Sequence, residues 1–349
     1  MKLAAGFQGP RPELWEQFEF SLSPGARTEP PPHTQPHSPL THTHTPPVMP
    51  WDLAPSSPGH AQEKRWQKRC KKSSFAFYQA VRDLLPVWML EEMRTMEVFH
   101  WEEGGRASSY SPSEALLYAL VHDHQPYGQY LLSEQPRAAL AMPSKSFCCC
   151  QALAPHLAMA VRYNRVVTLG RMLKSLRHFP EDERRGYLDR RGCVHVESGK
   201  TPLHLACELA RPECLSLLLG HGSSPYVTDC HGNTALDTLL GRLCEESEAE
   251  PHRSCLPSLL LFMPQLNFKM QGALRDDAGL WRGLLGTDLF QWLSGCSPPP
   301  LFIKAMQALI RTVSPQNFPE GLHQLPISHL LRALDFKLTA EGAAHSHFK

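Results

Sequence analysis

A spacing of 33 residues constrains this chain more than any other feature. Gly199 and Gly232 stand that far apart, as do Thr201 and Thr234, and Leu203 and Leu236. Several residue types recurring together at one interval mark a repeated supersecondary unit that buries its apolar face against the next copy. Gly199 and Gly232 suit a tight turn with positive φ. Thr201 can cap a helix, and Pro202 fits the first helical position, where its missing N–H costs nothing. Leu203, Ala206, Leu209 and Ala210 fall on one helical face, and the two alanines are small enough for helices to approach closely. Leu215, Leu218 and Leu219 give a second helix its apolar stripe, which Gly220 and Gly222 can end in a left-handed conformation.

The run Gly199-Lys-Thr-Pro-Leu-His-Leu-Ala206, with this period, resembles the ankyrin repeat, a turn followed by two antiparallel helices. The resemblance implies an all-α fold, an ankyrin-repeat helical solenoid. It implies structural roles for Gly199, Thr201, Pro202, His204, Ala206, Gly222 and Gly232. His204, which in isolation looks like a ligand or a base, is then expected to bond between adjacent turns. Two worn copies precede this stretch. Glu114–Leu132 aligns with Thr201–Leu219 and sets Ala119 in the place of Ala206; Pro155–Leu173 sets Ala160 there. The intervals Ala119–Ala160 and Ala160–Ala206 are 41 and 46 residues, so insertions fall in the loops between copies. The count is four repeats, two of them degenerate, enough for a self-stable stack.

Composition bounds the rest. A net charge of +1 over 349 residues gives no whole-chain signal for nucleic acid. Eleven cysteines, an odd number, with no Cys-x-x-Cys pair and no signal peptide, read as reduced thiols in a cytoplasmic protein. No uncharged apolar run reaches the roughly 18 residues of a membrane span. Residues 1–62 form a Pro/His-rich extension expected to be disordered, because such a composition cannot bury enough apolar area to offset ordering entropy. Residues 63–105 hold a basic run, Lys64–Lys72, and N-terminal helices that Pro86 bends or divides. That run reads as a solvated helix entry, with nuclear import as the alternative. The repeats occupy 106–242, and 243–296 form an acidic loop and helices that cap the last repeat.

His122, Asp123 and His124 invite a metal reading, but adjacent residues in an inter-helix turn diverge, so they are expected to be surface polar groups. Phe147-Cys-Cys-Cys150 reads as small apolar packing. No phosphate loop, nucleophile elbow, His-Glu-x-x-His or calcium loop occurs, and Cys207 and Cys214 sit on packing helices. The chain is therefore read as having no catalytic residue, no metal and no cofactor.

Residues 297–349 carry the sharpest functional clue. Leu301, Ala305 and Leu309 recur at i, i+4 and i+8 on one helical stripe after Pro298–Pro300. Leu325-Pro326-Ile327 and Leu331 follow. In order and spacing this pair of elements resembles a SOCS box. The resemblance implies that Leu301, Ala305 and Leu309 bind elongin C, with elongin B alongside it, and that Leu325, Pro326, Ile327 and Leu331 bind cullin-5. Ala305 stands where the family has Cys or a small residue, and Ser328 where it has a second proline; the latter leaves cullin-2 as the alternative. Ankyrin and SOCS-box proteins combine the two modules in this order. The reading is a substrate receptor of a cullin–RING ubiquitin ligase that holds a protein substrate on its stack, with a plain ankyrin scaffold as the alternative. No membrane or nucleic-acid partner is expected.

Overall fold

The computed structural model describes residues 76–95, 100–101, 107–108, 110–143, 155–192, 194–245, 250–313, 317–318 and 320–324. The 1–62 extension, Lys64–Lys72 and Phe147–Cys150 lie outside them. The chain divides into two compact units, Met1–Ser111 and Pro112–Lys349.

In the first unit Pro86 divides the apolar run as its missing N–H requires. Helix α1 covers 76–82 and α2 is Val87–Thr95. Between them Leu84 turns to φ 55°, and the Leu85 N–H donates back to the Ala80 carbonyl at 3.1 Å. Phe77 stacks on Tyr110 with ring centroids 4.6 Å apart. Arg94, buried, forms a double hydrogen bond to the Glu91 carboxylate and donates to the Tyr110 carbonyl at 3.1 Å. A two-residue antiparallel pair, β1 His100–Trp101 with β2 Ala107–Ser108, is the exception to an otherwise helical architecture among the described residues.

The second unit is the stack. Its first hairpin is α3 (Pro112–His122) and α4 (Gln125–Glu134), followed by the short α5 (Pro136–Ala139). The second is α6 (His156–Arg162) and α7 (Val166–Leu176), with α8 (Glu181–Leu188) and α9 (Val194–Glu197) in the insertion after it. The third is α10 (Pro202–Glu208) and α11 (Pro212–Gly220). The fourth begins with α12 (Ala235–Glu245) and, after α13 (Glu250–Arg253), ends with α14 (Cys255–Leu261). First helices pack in the row α3, α6, α10, α12, and second helices in the row α4, α7, α11, α14.

The alanines explain the close approach. Ala119, Ala160 and Ala206 are buried, and their carbonyls accept the N–H of His124, Arg165 and Arg211 at 2.9, 2.8 and 2.9 Å. The residue before each of those donors, Asp123, Asn164 or Ala210, is left-handed, with φ of 56°, 53° and 50°. The same bond and the same left-handed residue close the 76–95 hairpin at Ala80 and Leu84, so that hairpin shares the repeat's local geometry.

Segment Ser258–Met263, expected to cap the stack, belongs with Cys255–Leu261 to the fourth repeat's second helix: Leu256, Leu259 and Leu260 are buried and α14 packs on α11. Helices α15 (Gln271–Asp276), α16 (Ala278–Leu285) and α17 (Thr287–Leu293) form a small cluster around buried Trp281, Phe290 and Trp292. Arg253 ties it to the stack by donating to the Leu284 carbonyl at 2.8 Å. Helix α18 (Leu301–Thr312) packs on α14, and α19 (Glu320–His323) follows.

Candidate interaction surfaces

Inside the stack the polar residues are bound to one another. His204, buried in α10, accepts at Nδ1 from the Thr201 N–H (3.2 Å) and hydroxyl (2.8 Å). Its Nε2 lies 2.9 Å from the Asn233 carbonyl, an oxygen that only accepts, so Nε2 carries the proton. Burial pushes its pKa down, which keeps it neutral. The turn below is set by Gly199, whose φ of 65° lies in the left-handed region that favours glycine. Gly232 and Gly222 are also left-handed, at φ 76° and 101°, as their turns require. Asp237 sits 33 residues after His204 and repeats its position, accepting from Thr234 and from the N–H groups of Lys269 and Met270.

His156 makes a similar internal bond. Its Nε2 lies 3.0 Å from the Ser113 carbonyl and its Nδ1 3.1 Å from the Tyr187 hydroxyl. Ser113 Oγ is 3.1 Å from the same imidazole, but its hydrogen goes to the Ala141 carbonyl at 2.7 Å. Burial lowers the His156 pKa to about 4. This Ser–His–Tyr arrangement is a buried strut between repeats, with the serine hydrogen turned away from the base that a nucleophile would need.

The buried thiols of Cys207, Cys214 and Cys255 are protonated. Burial pushes Cys214 and Cys255 up to about 12 and Cys207 well above the usual thiol value. Among the described residues no group of three His, Cys, Asp or Glu side chains is placed to hold a metal. Asp123 is exposed and pairs with Arg165 at 3.6 Å. His124, expected at the surface, is buried and caps α4, accepting from the Tyr127 N–H at 3.3 Å; an N-cap side chain must fold back over its own helix.

Helix α18 differs, because its apolar residues are divided between two faces. Met306 and Gln307 are buried, and the Gln307 amide donates to the Leu260 and Met263 carbonyls at 2.9 and 3.1 Å, satisfying the open end of α14. The opposite stripe faces solvent: Leu301 is 86% and Phe302 46% exposed, Ala305 is exposed, and Leu309 is half-buried. Leu301, Ala305 and Leu309 thus lie together on one face. Leu325, Pro326, Ile327 and Leu331 lie outside the described residues. Gln307 had a sequence signal, a lone amide within Ala305–Ile310.

The ankyrin repeat model matches residues 198–230. Over 329 residues the chain is 50% identical to ankyrin repeat domain-containing protein 9 of Mus musculus, an alignment covering 84% of this chain and 100% of that protein. The chain belongs to that protein's family. Most of the match lies outside the one repeat that the model detects, so kinship extends to the worn repeats and the inserted loops. No solved structure matches the chain significantly. The family is one of ankyrin-repeat proteins, and a stack of this kind is a scaffold for protein interaction. Among the described residues no helix is long and apolar enough to cross a membrane.

Proposed function

We propose that the chain is the substrate receptor of a cullin–RING ubiquitin ligase, with elongin B and elongin C as its adaptor and cullin-5 as its scaffold. The observation that carries this reading is the exposed stripe on α18. A helix that finishes a core turns its leucines inward. Here the helix is anchored through Met306 and Gln307 while Leu301 and Phe302 stand in solvent. Leucine at i, a small residue at i+4 and an aliphatic at i+8 suit insertion into a pocket on a partner. Ala305 adds no bulk that would lift the helix off.

The stack supports the other half of the reading, capture of a protein substrate. Its first-helix row is crossed by ion pairs: Arg162 with Glu197 at 3.3 Å, and Glu208 with Lys200 at 2.8 Å and Arg242 at 2.7 Å. Burial raises the Glu208 pKa, but the two cations outweigh it and hold the carboxyl below its usual range. A row satisfied in this way offers little to a ligand, so the inter-repeat loops carry substrate specificity. Holding substrate beside the transfer site raises its effective concentration.

Affinity capture of the full chain and of a chain ending at Pro300 tests the assignment. The full chain is expected to recover elongins and a cullin, and the shortened one neither. Recovery of neither by the full chain leaves a scaffold without a ligase role, and equal recovery by both contradicts the assignment of the tail.

A further inference from the structure

Just beyond α18, Phe318 is buried against the second-helix row of the stack. Its ring lies over Gly220, so closely that any Cβ on Gly220 would overlap it. The ring stands nearly perpendicular to those of His221 and Phe262, with centroids 5.6 and 6.4 Å away. Gly220 ends the apolar run Leu217–Leu219 in α11, where glycine is a poor helix former; the slot gives it a reason. His221 is itself held. Its Nδ1 lies 2.8 Å from the Leu217 carbonyl, which leaves Nε2 as the acceptor 3.4 Å from the Arg177 guanidinium. Arg177 also donates to the Phe318 main-chain carbonyl and reaches the Glu320 carboxylate at 3.1 Å, where Lys174 adds a second contact at 3.1 Å.

We propose that this slot is a binding site for a short peptide segment bearing an aromatic side chain followed two residues later by a carboxylate, and that the chain's own Phe318 and Glu320 occupy it in cis. Two elements, α11 and the C-terminal end of α7, read three features of the segment. The Gly220 slot takes the ring, Arg177 takes the main-chain carbonyl, and Lys174 with Arg177 takes the carboxylate. The ring carries most of the affinity, because it is buried, whereas Glu320 and Lys174 are both more than a third exposed and their pairing is screened. Occupation in cis holds the tail on repeats 2 and 3, and a partner segment of the same pattern must displace it. The site is separate from the Leu301–Leu309 stripe, and it stands whether or not that stripe binds elongin C.

The test uses the full-length chain with Phe318→Ala and Glu320→Ala, which vacates the slot, and a fluorescein-labelled peptide spanning Pro315–His323 followed by anisotropy. The vacated chain is expected to bind the peptide saturably, at least tenfold more tightly than the wild type. Adding Gly220→Leu should abolish binding, as should alanine in place of the peptide's phenylalanine. Absence of saturable binding to a vacated chain that melts like the wild type overturns the proposal, as does undiminished binding after Gly220→Leu. Hydrogen exchange on the unmodified chain gives a second reading that needs no variant to fold. Excess peptide should accelerate exchange at 317–324 and leave α11 protected; unchanged rates at 317–324 overturn the proposal.

Discussion

His204 and Asp237 do the same work at equivalent positions with opposite hydrogen-bonding sense. The histidine donates to a carbonyl of the next turn, and the aspartate accepts two N–H groups there. Each closes its own helix start through a threonine three residues earlier. Replacing Asp237 with Ala strands the buried donors of Thr234 and the partly buried N–H groups of Lys269 and Met270, at a cost of roughly 3 kcal/mol. Denaturant unfolding of the variant measures that cost, and a change within experimental error contradicts the assigned bonds. Histidine protonation gives a second prediction. Burial lowers His156 and His221 to about 4 in the folded chain, below the ordinary value of 6.5. Between those values the unfolded chain binds more protons, so stability is complete above about pH 6.5 and is lost as pH falls toward 4. Each residue accounts for roughly 3 kcal/mol at pH 4. Thermal melts from pH 7 to pH 4.5 should show the midpoint falling, with a shallower slope for His156→Gln; an unaltered slope in that variant contradicts the role assigned to His156.

The helical hairpin depends on a left-handed residue between its two helices. Asp123 and Asn164 tolerate that conformation, and glycine would suit it best, but Ala210 holds it with φ 50°. Ala210→Gly should therefore stabilise the chain by about 1 kcal/mol, raising the melting temperature; a lower melting temperature would show that the alanine methyl contributes more by packing than its backbone loses. This hairpin also shows what sequence reasoning can and cannot reach. Ala119, Ala160 and Ala206 were legible because a small residue at the close approach has no substitute, even where the rest of the repeat has worn away. The 76–95 hairpin was not legible as the same motif, since Leu84 gives no hint of positive φ. The fourth repeat's second helix was obscured by the acidic insertion before it, which displaces Cys255–Leu261 from the 33-residue register. The exposed stripe of α18 could be read from spacing, but the face that docks could not. Met306 and Gln307 are buried because α14 ends where they meet it, a tertiary fact with no local signature.

At the scale of the whole molecule, the stack and the tail present different chemistry. The first-helix row of the stack is crossed by ion pairs and its His156, His204 and Cys207 are neutral, so it provides shape and position. The tail helix leaves an apolar stripe open on the body that the stack supports. Fully burying one leucine contributes about 1.5–3 kcal/mol, so Leu301, now 86% exposed, would supply a tenfold or greater share of affinity for a partner that covers it. Because its side chain makes no part of the core, Leu301→Glu should leave the melting temperature unchanged. The most direct measurement is therefore titration of purified elongin B–elongin C into the full-length chain and its Leu301→Glu variant. Saturable binding by the wild type and its loss in an equally stable variant is the predicted result; equal binding by both, or none by either, contradicts the assignment of the tail.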